Sequence, residues 1–155
     1  MSGGELALRL FAVFRDLVDE VHGELAARGH PDVRPSHGFA LQAVGAEGVT
    51  AVELARRLGV SKQAAGKTVD GLVGLGYAER AGDPTDARRK LVRLTAEGRE
   101  VLALSAGAFD RARAGRLEGL DVERVAGFED VLRAVSDGVT PRLDAAAWLT
   151  GPDPS

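Results

Sequence analysis

The stretch of residues 50–94 constrains the fold most, because its apolar residues change from helical to strand-like spacing within a short length of chain. It begins with Thr50 and Glu53, which have the spacing of a capping box. This pattern predicts a short helix over residues 51–58. The helix is expected to stop at Gly59, because glycine readily adopts the left-handed backbone that ends helices.

A second helix is predicted after a turn of three residues. Ser61 is a good N-terminal cap and predicts a helix over about residues 62–74. The apolar residues of this helix recur at helical spacing and form an inner face: Ala65, Val69, Leu72 and Val73. Two short helices joined by a tight turn are typical of a helix-turn-helix.

The residues after this motif predict a β-hairpin. Tyr77 to Arg80 is a short strand candidate, and Lys90 to Leu94 is the return strand. Between them, residues 81–87 contain glycine, proline and two aspartates, which favour turns. A hairpin directly after a helix-turn-helix is the layout of a winged helix-turn-helix.

The rest of the chain is predicted to be helical, from apolar residues at three-to-four spacing. Four helices are expected: residues 4–28, residues 36–46 after the cap Ser36, Thr95 to about Leu117, and Asp121 to near Trp148 with a break at Pro141. The longest stripes consist of Leu10, Phe14, Leu17, Val21 and Leu25 in the first, and Val125, Phe128, Leu132, Val135 and Val139 in the last. The predicted fold class is mainly α with a small β-hairpin wing, in a single domain over residues 1–155.

Charge is distributed unevenly along the chain. The net charge is −3, but residues 49–95 carry nine Lys and Arg against five Asp and Glu, and are therefore +4. The remaining residues are −7. A basic middle between acidic ends indicates one surface for a polyanion such as double-stranded DNA.

The outer face of the second short helix carries the side chains expected to contact DNA. A helix of this motif lies in the major groove, which is wide enough to admit it. Gln63 has the amide that reads adenine, and lysines reach guanine or phosphate. The predicted contacts in the groove are Ser61, Lys62, Gln63, Lys67 and Thr68, and the predicted phosphate contacts are Arg56 and Arg57.

The predicted wing carries a cluster of charges, Asp86, Arg88, Arg89 and Lys90. An arginine at the tip of a wing is suited to a narrow minor groove, where negative potential is concentrated. Arg88 is expected to enter that groove with Arg89 in support. Asp86 is expected to hold the Arg88 guanidinium by a charge-assisted hydrogen bond.

These features together resemble the MarR family of bacterial transcriptional regulators. The resemblance covers Thr50 to Gly98 and rests on the Asp86-x-Arg88 pattern, the Leu94-Thr95 pair and Ser61. It implies a DNA-binding lobe over residues 36–98. It also implies a homodimer formed by residues 4–28 and 95–148, which binds a palindromic operator, most often as a repressor. A small aromatic or phenolic effector is implied near Phe11, Phe14, His37 and Phe39.

Several other classes of function are not expected. The chain has no cysteine, which excludes disulfides and thiol chemistry. Its longest uncharged run, residues 35–46, is too short to span a membrane, and no secretory signal is apparent, so a cytoplasmic protein is expected. No enzyme motif has its required context, and no cofactor or metal is predicted. Three alternatives remain: a DNA-binding protein without an effector, a winged-helix protein-interaction module, and a metal sensor that uses His37.

Overall fold

A computed structural model of the chain describes residues 1–139. It is mainly helical with an antiparallel hairpin and confirms the predicted winged helix-turn-helix. The elements are α1 (Gly3–Ala27), α2 (Pro35–Val44), β1 (Val49–Thr50), α3 (Ala51–Leu58), α4 (Lys62–Gly74), β2 (Ala78–Asp83), β3 (Asp86–Leu94), α5 (Ala96–Leu117) and α6 (Val122–Ser136). None of the helices in this part of the chain has the length and apolar character needed to cross a bilayer.

Side-chain caps fix the starts of most helices. In each case a hydroxyl or carboxylate accepts the backbone N–H three residues later, which satisfies a donor that the helix itself leaves unpaired. The capping residues are Ser2, Thr50, Ser61, Thr95 and Asp121. The caps predicted at Thr50, Ser61, Thr95 and Asp121 are therefore confirmed.

Two predicted helix starts differ in detail. The cap predicted at Ser36 is wrong: α2 begins one residue earlier at Pro35, with Arg34 as the N-cap, because the fixed φ of proline suits the first helical position. The observed helix ends at Val44, two residues before the predicted end at residue 46. The capping box at Thr50 is only half formed, because Thr50 accepts the Glu53 N–H while the Glu53 carboxylate binds two arginines instead.

The sheet has three strands in the order β1-β3-β2, all antiparallel. The strand β1, whose Val49 pairs with Val92, was not predicted from the sequence. The hairpin strands are longer than predicted, so the tip is not residues 81–87 but only Pro84 and Thr85. The Asp83 carboxylate makes this tight turn stable by accepting the N–H and the hydroxyl of Thr85.

The core lies where the C-terminal half of α1 packs with α2, α3, α4, the sheet and α5. Its largest fully buried side chains are Leu25, Leu41, Leu54, Leu72, Val21, Val44, Val69 and Val101. The predicted inner face of α4 is confirmed at Ala65, Val69 and Leu72, whereas Val73 is only half-buried. In α1, Leu10 is exposed, and Val18, absent from the predicted stripe, is buried.

The start of α5 is packed tightly against the end of the helix-turn-helix. The Thr95 N–H donates to the Tyr77 carbonyl at 3.1 Å, and the Thr95 hydroxyl donates to the Gly76 carbonyl at 2.7 Å. Gly98 faces the same Tyr77 carbonyl so closely that a Cβ added there would lie 1.9 Å from its oxygen. These contacts join the start of α5 to the segment between α4 and β2.

The last helix of the described residues, α6, has no buried residue. Apart from the half-buried Val125, the apolar side chains of α6 are exposed, and residues 3–13, the first three turns of α1, are exposed as well. The exposed apolar residues include Leu6, Leu10, Phe11, Phe128, Val131, Leu132 and Val135. The predicted extension of the last helix to Val139 is wrong, because α6 ends at Ser136. The predictions for Pro141 and Trp148 lie outside the described residues.

Candidate nucleic-acid interface

The second helix of the motif, α4, presents a polar face to solvent. The Ser61 hydroxyl accepts the Ala64 N–H at 3.1 Å and fixes the first turn. The buried residues of α4 lie on one side, and Ser61, Lys62, Gln63 and Lys67 are exposed on the other. Because the inner side is anchored in the core, this outer side is held at a fixed orientation.

Thr68 is less available than the sequence suggested. It is half-buried, and its hydroxyl donates to the carbonyl of Ala64 at 3.2 Å. This bond uses its donor and leaves only the oxygen lone pairs for an outside group. Thr68 therefore lies at the edge of the exposed face of α4.

The lysines of α4 are not neutralised by acids in the described part of the chain. Within residues 1–139, neither Lys62 nor Lys67 has a carboxylate within ion-pair distance. The acid on this face, Asp70, pairs with Arg80 of β2 at 2.6 Å. This ion pair ties the outer face of α4 to the base of the wing and cancels its negative charge.

The wing residues are arranged differently from the prediction at one point. Asp86 accepts the backbone N–H of Arg88 at 3.0 Å, and no bond to the Arg88 guanidinium is found, which corrects the predicted role of Asp86. The carboxylate is two residues before the N–H it binds, so it closes a local turn at the start of β3. Asp86 therefore shapes the wing and leaves the Arg88 guanidinium exposed.

Arg88 and Arg89 are not equivalent. Arg89 Nη1 lies 3.5 Å from Asp83 Oδ2. Hydrogen bonds from Thr85 are the main cause that lowers the pKa of Asp83, with a smaller contribution from Arg89, so Asp83 stays charged. Arg88 forms no ion pair in the described part of the chain and is the freer of the two cations.

Arg56 and Arg57, predicted to bind phosphate, share one carboxylate. Glu53 binds Arg56 through both oxygens, at 2.9 and 2.6 Å, and Arg57 through one at 3.1 Å. These bonds lower the pKa of Glu53 to about 2, so it is ionised at neutral pH. The cluster keeps one net positive charge, and Arg57 also donates to the Ala43 carbonyl at 2.8 Å.

Of the four residues predicted near an effector, Phe14 and Phe39 are brought into contact. Phe14 and Phe39 stack with ring centroids 6.3 Å apart and an interplanar angle of 20°. Phe11 is 45% exposed. His37 is half-buried, and its ring lies against Gly71 of α4. This contact was not predicted, because nothing in the spacing of residues within α2 or α4 shows that these two residues meet.

The described residues hold no candidate metal centre. In residues 1–139, no three His, Asp or Glu side chains come together in a way that could hold an ion. His22 contacts the Val33 carbonyl and His30 the Tyr77 hydroxyl, so each imidazole already has a partner.

Comparisons with known proteins agree with the geometry. Residues 32–89 match the model of the MarR family. No curated protein matches the chain. Among solved structures, a MarR-family transcriptional regulator from Rhodococcus sp. RHA1 is 25% identical, with a TM-score of 0.67, covering 88% of this chain and 95% of that one.

Two further structures have bound molecules. CouR from Rhodococcus jostii RHA1, bound to p-coumaroyl-CoA, is 26% identical with a TM-score of 0.66, covering 84% of this chain and 91% of that one. A mutant MarR from E. coli complexed with operator DNA is 25% identical with a TM-score of 0.68, covering 84% and 93%.

Proposed function

Because the chain belongs to the MarR family of transcriptional regulators, we propose that it is a cytoplasmic, sequence-specific DNA-binding repressor. The observation that carries this proposal is the exposed face of α4, whose two lysines have no acidic partner in the described residues. The one acid on that face is already paired with Arg80. Such a face is suited to a polyanion and needs no rearrangement to bind one.

In this proposal α4 lies in the major groove. Gln63 is exposed near the start of the helix, and its amide can make two hydrogen bonds to adenine. Lys62 and Lys67 contact guanine or phosphate, and Ser61 and Thr68 contact the edges of the groove. The Glu53–Arg56–Arg57 cluster on α3 contacts the neighbouring phosphates of the DNA backbone with its remaining positive charge.

The wing enters the adjacent minor groove through Arg88. Its guanidinium is free of acidic partners in the described chain, and Asp86 fixes the backbone that carries it. Arg89, bound to Asp83, contributes mainly to the local positive potential.

We further propose that two copies of the chain form the functional unit. Within the described residues, the apolar side chains of α6 other than Val125 are exposed, and those of residues 6–13 in α1 are exposed as well. A second copy related by a two-fold axis would bury both surfaces. The same axis would place the two copies of α4, the recognition helices, at the two halves of a palindromic site.

A charge placed on the apolar side of α6 should separate the two copies. Val131→Glu and Phe128→Glu change residues that are 62% and 54% exposed in the single chain, so the fold itself should tolerate them. We expect size-exclusion chromatography with light scattering to give the 16.2 kDa mass of one chain for these variants and twice that mass for the wild type. Burying unpaired carboxylates is too unfavourable to permit association.

Ala126→Glu is the matched control, because Ala126 is also exposed but lies on the opposite side of α6. It should remain a dimer. A wild-type chain that elutes as a monomer, or a Val131→Glu variant that stays dimeric, would contradict the proposed dimer surface.

We propose that a small aromatic or phenolic effector binds where α1 and α2 meet and releases the DNA. The stacked rings of Phe14 and Phe39 support an aromatic ligand there, and Phe11 and His37 belong to the same two helices. The p-coumaroyl-CoA bound to CouR adds support for a ligand with an aromatic ring. The alternative is a regulator that acts by occupancy alone, and a panel of phenolic acids added to the DNA complex distinguishes the two.

Selection of bound duplexes from a random DNA pool tests the proposed function. We expect enrichment of an inverted repeat whose halves are about one helical turn apart. No enrichment with weak, salt-sensitive binding would indicate a non-specific DNA-binding protein. No binding even at low salt would contradict the proposal and favour the protein-interaction module.

A further inference from the structure

His22 of α1 and His37 of α2 lie near enough to interact electrostatically, and His37 also contacts the recognition helix α4. The rings of His22 and His37 are both half-buried, and each has a nitrogen in contact with the backbone. We call His22, His37 and Gly71 of α4 the histidine junction. Its geometry determines which nitrogen of each ring carries the proton.

His37 connects the first turn of α2 to the recognition helix. Its Nδ1 lies 3.2 Å from the backbone nitrogen of Arg34, the N-cap residue of α2. A backbone N–H only donates, so this Nδ1 is an acceptor without a proton, and the neutral ring is protonated at Nε2. That Nε2 faces α4, because a Cβ added to Gly71 would lie 2.8 Å from it.

His22 has the opposite arrangement. Its Nδ1 lies 2.9 Å from the Val33 carbonyl oxygen, which can only accept, so the neutral ring carries its proton on Nδ1. Protonation of His22 therefore adds charge at Nε2 and leaves the bond to Val33 in place. Protonation of His37, in contrast, turns the acceptor of the Arg34 N–H into a second donor.

We propose that the histidine junction couples proton uptake to DNA affinity by loosening the contact of α2 with α4. When both rings are charged, the Arg34 N–H loses its acceptor and the two cations repel each other across the α1–α2 contact. The proposal rests on the proposed function, because α4 is the helix assigned to the major groove.

The surroundings of the junction oppose protonation. Burial is the main cause that lowers the pKa of both rings below 6.5. His37 also faces Arg34 on its own helix and His22 on α1, which lower its pKa further, whereas the Asp32 carbonyl in the linker opposes them. Asp19 on α1 and the Val33 carbonyl partly offset the effect for His22. From α4, His37 faces Gly71.

The sign of the pH effect follows from these directions. Because the folded chain has the lower pKa values, it binds fewer protons than the unfolded chain below pH 6.5. The contribution of the junction to folding stability is complete above that pH. It is lost as the pH falls through the lowered pKa values of the two histidines. Ordinary electrostatics predicts the reverse for DNA binding, since acid adds positive charge to the protein.

The test compares the Kd of the enriched duplex at about pH 7.5 and about pH 5.5, at constant salt. We expect the full-length wild-type chain to bind about fivefold more weakly, or worse, at the lower pH. His37→Asn keeps an oxygen that can accept the Arg34 N–H but does not titrate. For His37→Asn, the Kd of the duplex at the lower pH should differ by less than about twofold from the Kd of the same variant at the higher pH.

His30→Asn is the control, because His30 contacts the Tyr77 hydroxyl and lies outside the junction. It should keep the wild-type ratio. Wild-type binding that is unchanged or tighter at low pH, or an equal loss in His37→Asn, would overturn the proposal.

Amide NMR signals of the free chain separate this proposal from the proposed function. The chemical shifts of α4 amides should change with pH along the titration curve of His37. If they do not follow that curve, the proposed coupling through the histidine junction is wrong. No DNA binding at either pH would overturn the proposed function instead.

Discussion

Replacing Gly98 with alanine should destabilise the fold by about 3 kcal/mol or more. The added Cβ would lie 1.9 Å from the Tyr77 carbonyl oxygen and 2.8 Å from its carbon. Both belong to the Tyr77 backbone, whose carbonyl accepts the Thr95 N–H, so neither can move without opening the contact between α5 and the segment that precedes β2. Urea unfolding should show the loss as a lower midpoint with little change in slope.

Gly115→Ala is the control on the same helix. An added Cβ at Gly115 meets nothing within 4 Å, so alanine should be neutral or stabilise the helix by about 0.5–1 kcal/mol. Equal midpoints for the Gly98→Ala and wild-type chains would contradict the tight packing of α5 on Tyr77.

Replacing Arg88 with alanine should weaken binding to the enriched duplex by about 1–3 kcal/mol, which is roughly 5- to 150-fold. Arg88 is exposed and without an ion pair in the described chain, so the loss should come from the DNA contact and not from the fold. The free energy of unfolding should change by less than about 0.5 kcal/mol. Fluorescence anisotropy titrations measure the first quantity and urea unfolding the second.

Two arginine variants serve as controls for Arg88. Arg89→Ala should weaken DNA binding less than Arg88→Ala does, because Asp83 already pairs with Arg89. Arg28→Ala removes the same charge at the end of α1, where Glu24 binds it, and should leave affinity nearly unchanged. If Arg88→Ala and Arg28→Ala bind the duplex with equal affinity, the wing does not contact the DNA through Arg88.

The helices could be predicted from the sequence because their limits depend on local chemistry. Ser61 and Thr95 cap helices whatever surrounds them, and Gly59 ends α3 with a positive φ of 62°. The two-residue strand β1 could not be predicted, because it exists only through pairing with Val92, far away in sequence. The length of the wing was underestimated because Asp83 stabilises a tighter turn than its composition indicated.

The candidate site was predictable in its residues more than in its contacts. Exposure of Lys62, Gln63 and Lys67 follows from helical periodicity alone. The binding of Asp86 to a backbone N–H, in place of a guanidinium, depends on the exact path of the wing. The contact of His37 with Gly71 depends on how two helices pack, which spacing within either helix does not specify.

The central claim is that the wing and α4 meet DNA as a symmetric pair, and site-directed cleavage tests it most directly. The chain has no cysteine, so Thr85→Cys at the wing tip can carry a single DNA-cleaving iron chelate. Glu118→Cys is the control, because α5 has 22 residues and holds position 118 roughly 33 Å from the wing base.

On the enriched duplex, we predict two cleavage clusters from Thr85→Cys. They should lie in the minor grooves that flank the half-sites and be related by the two-fold axis of the inverted repeat. The tag at position 118 should give no clusters. Uniform cleavage from Thr85→Cys, or the same pattern from both positions, would contradict the account.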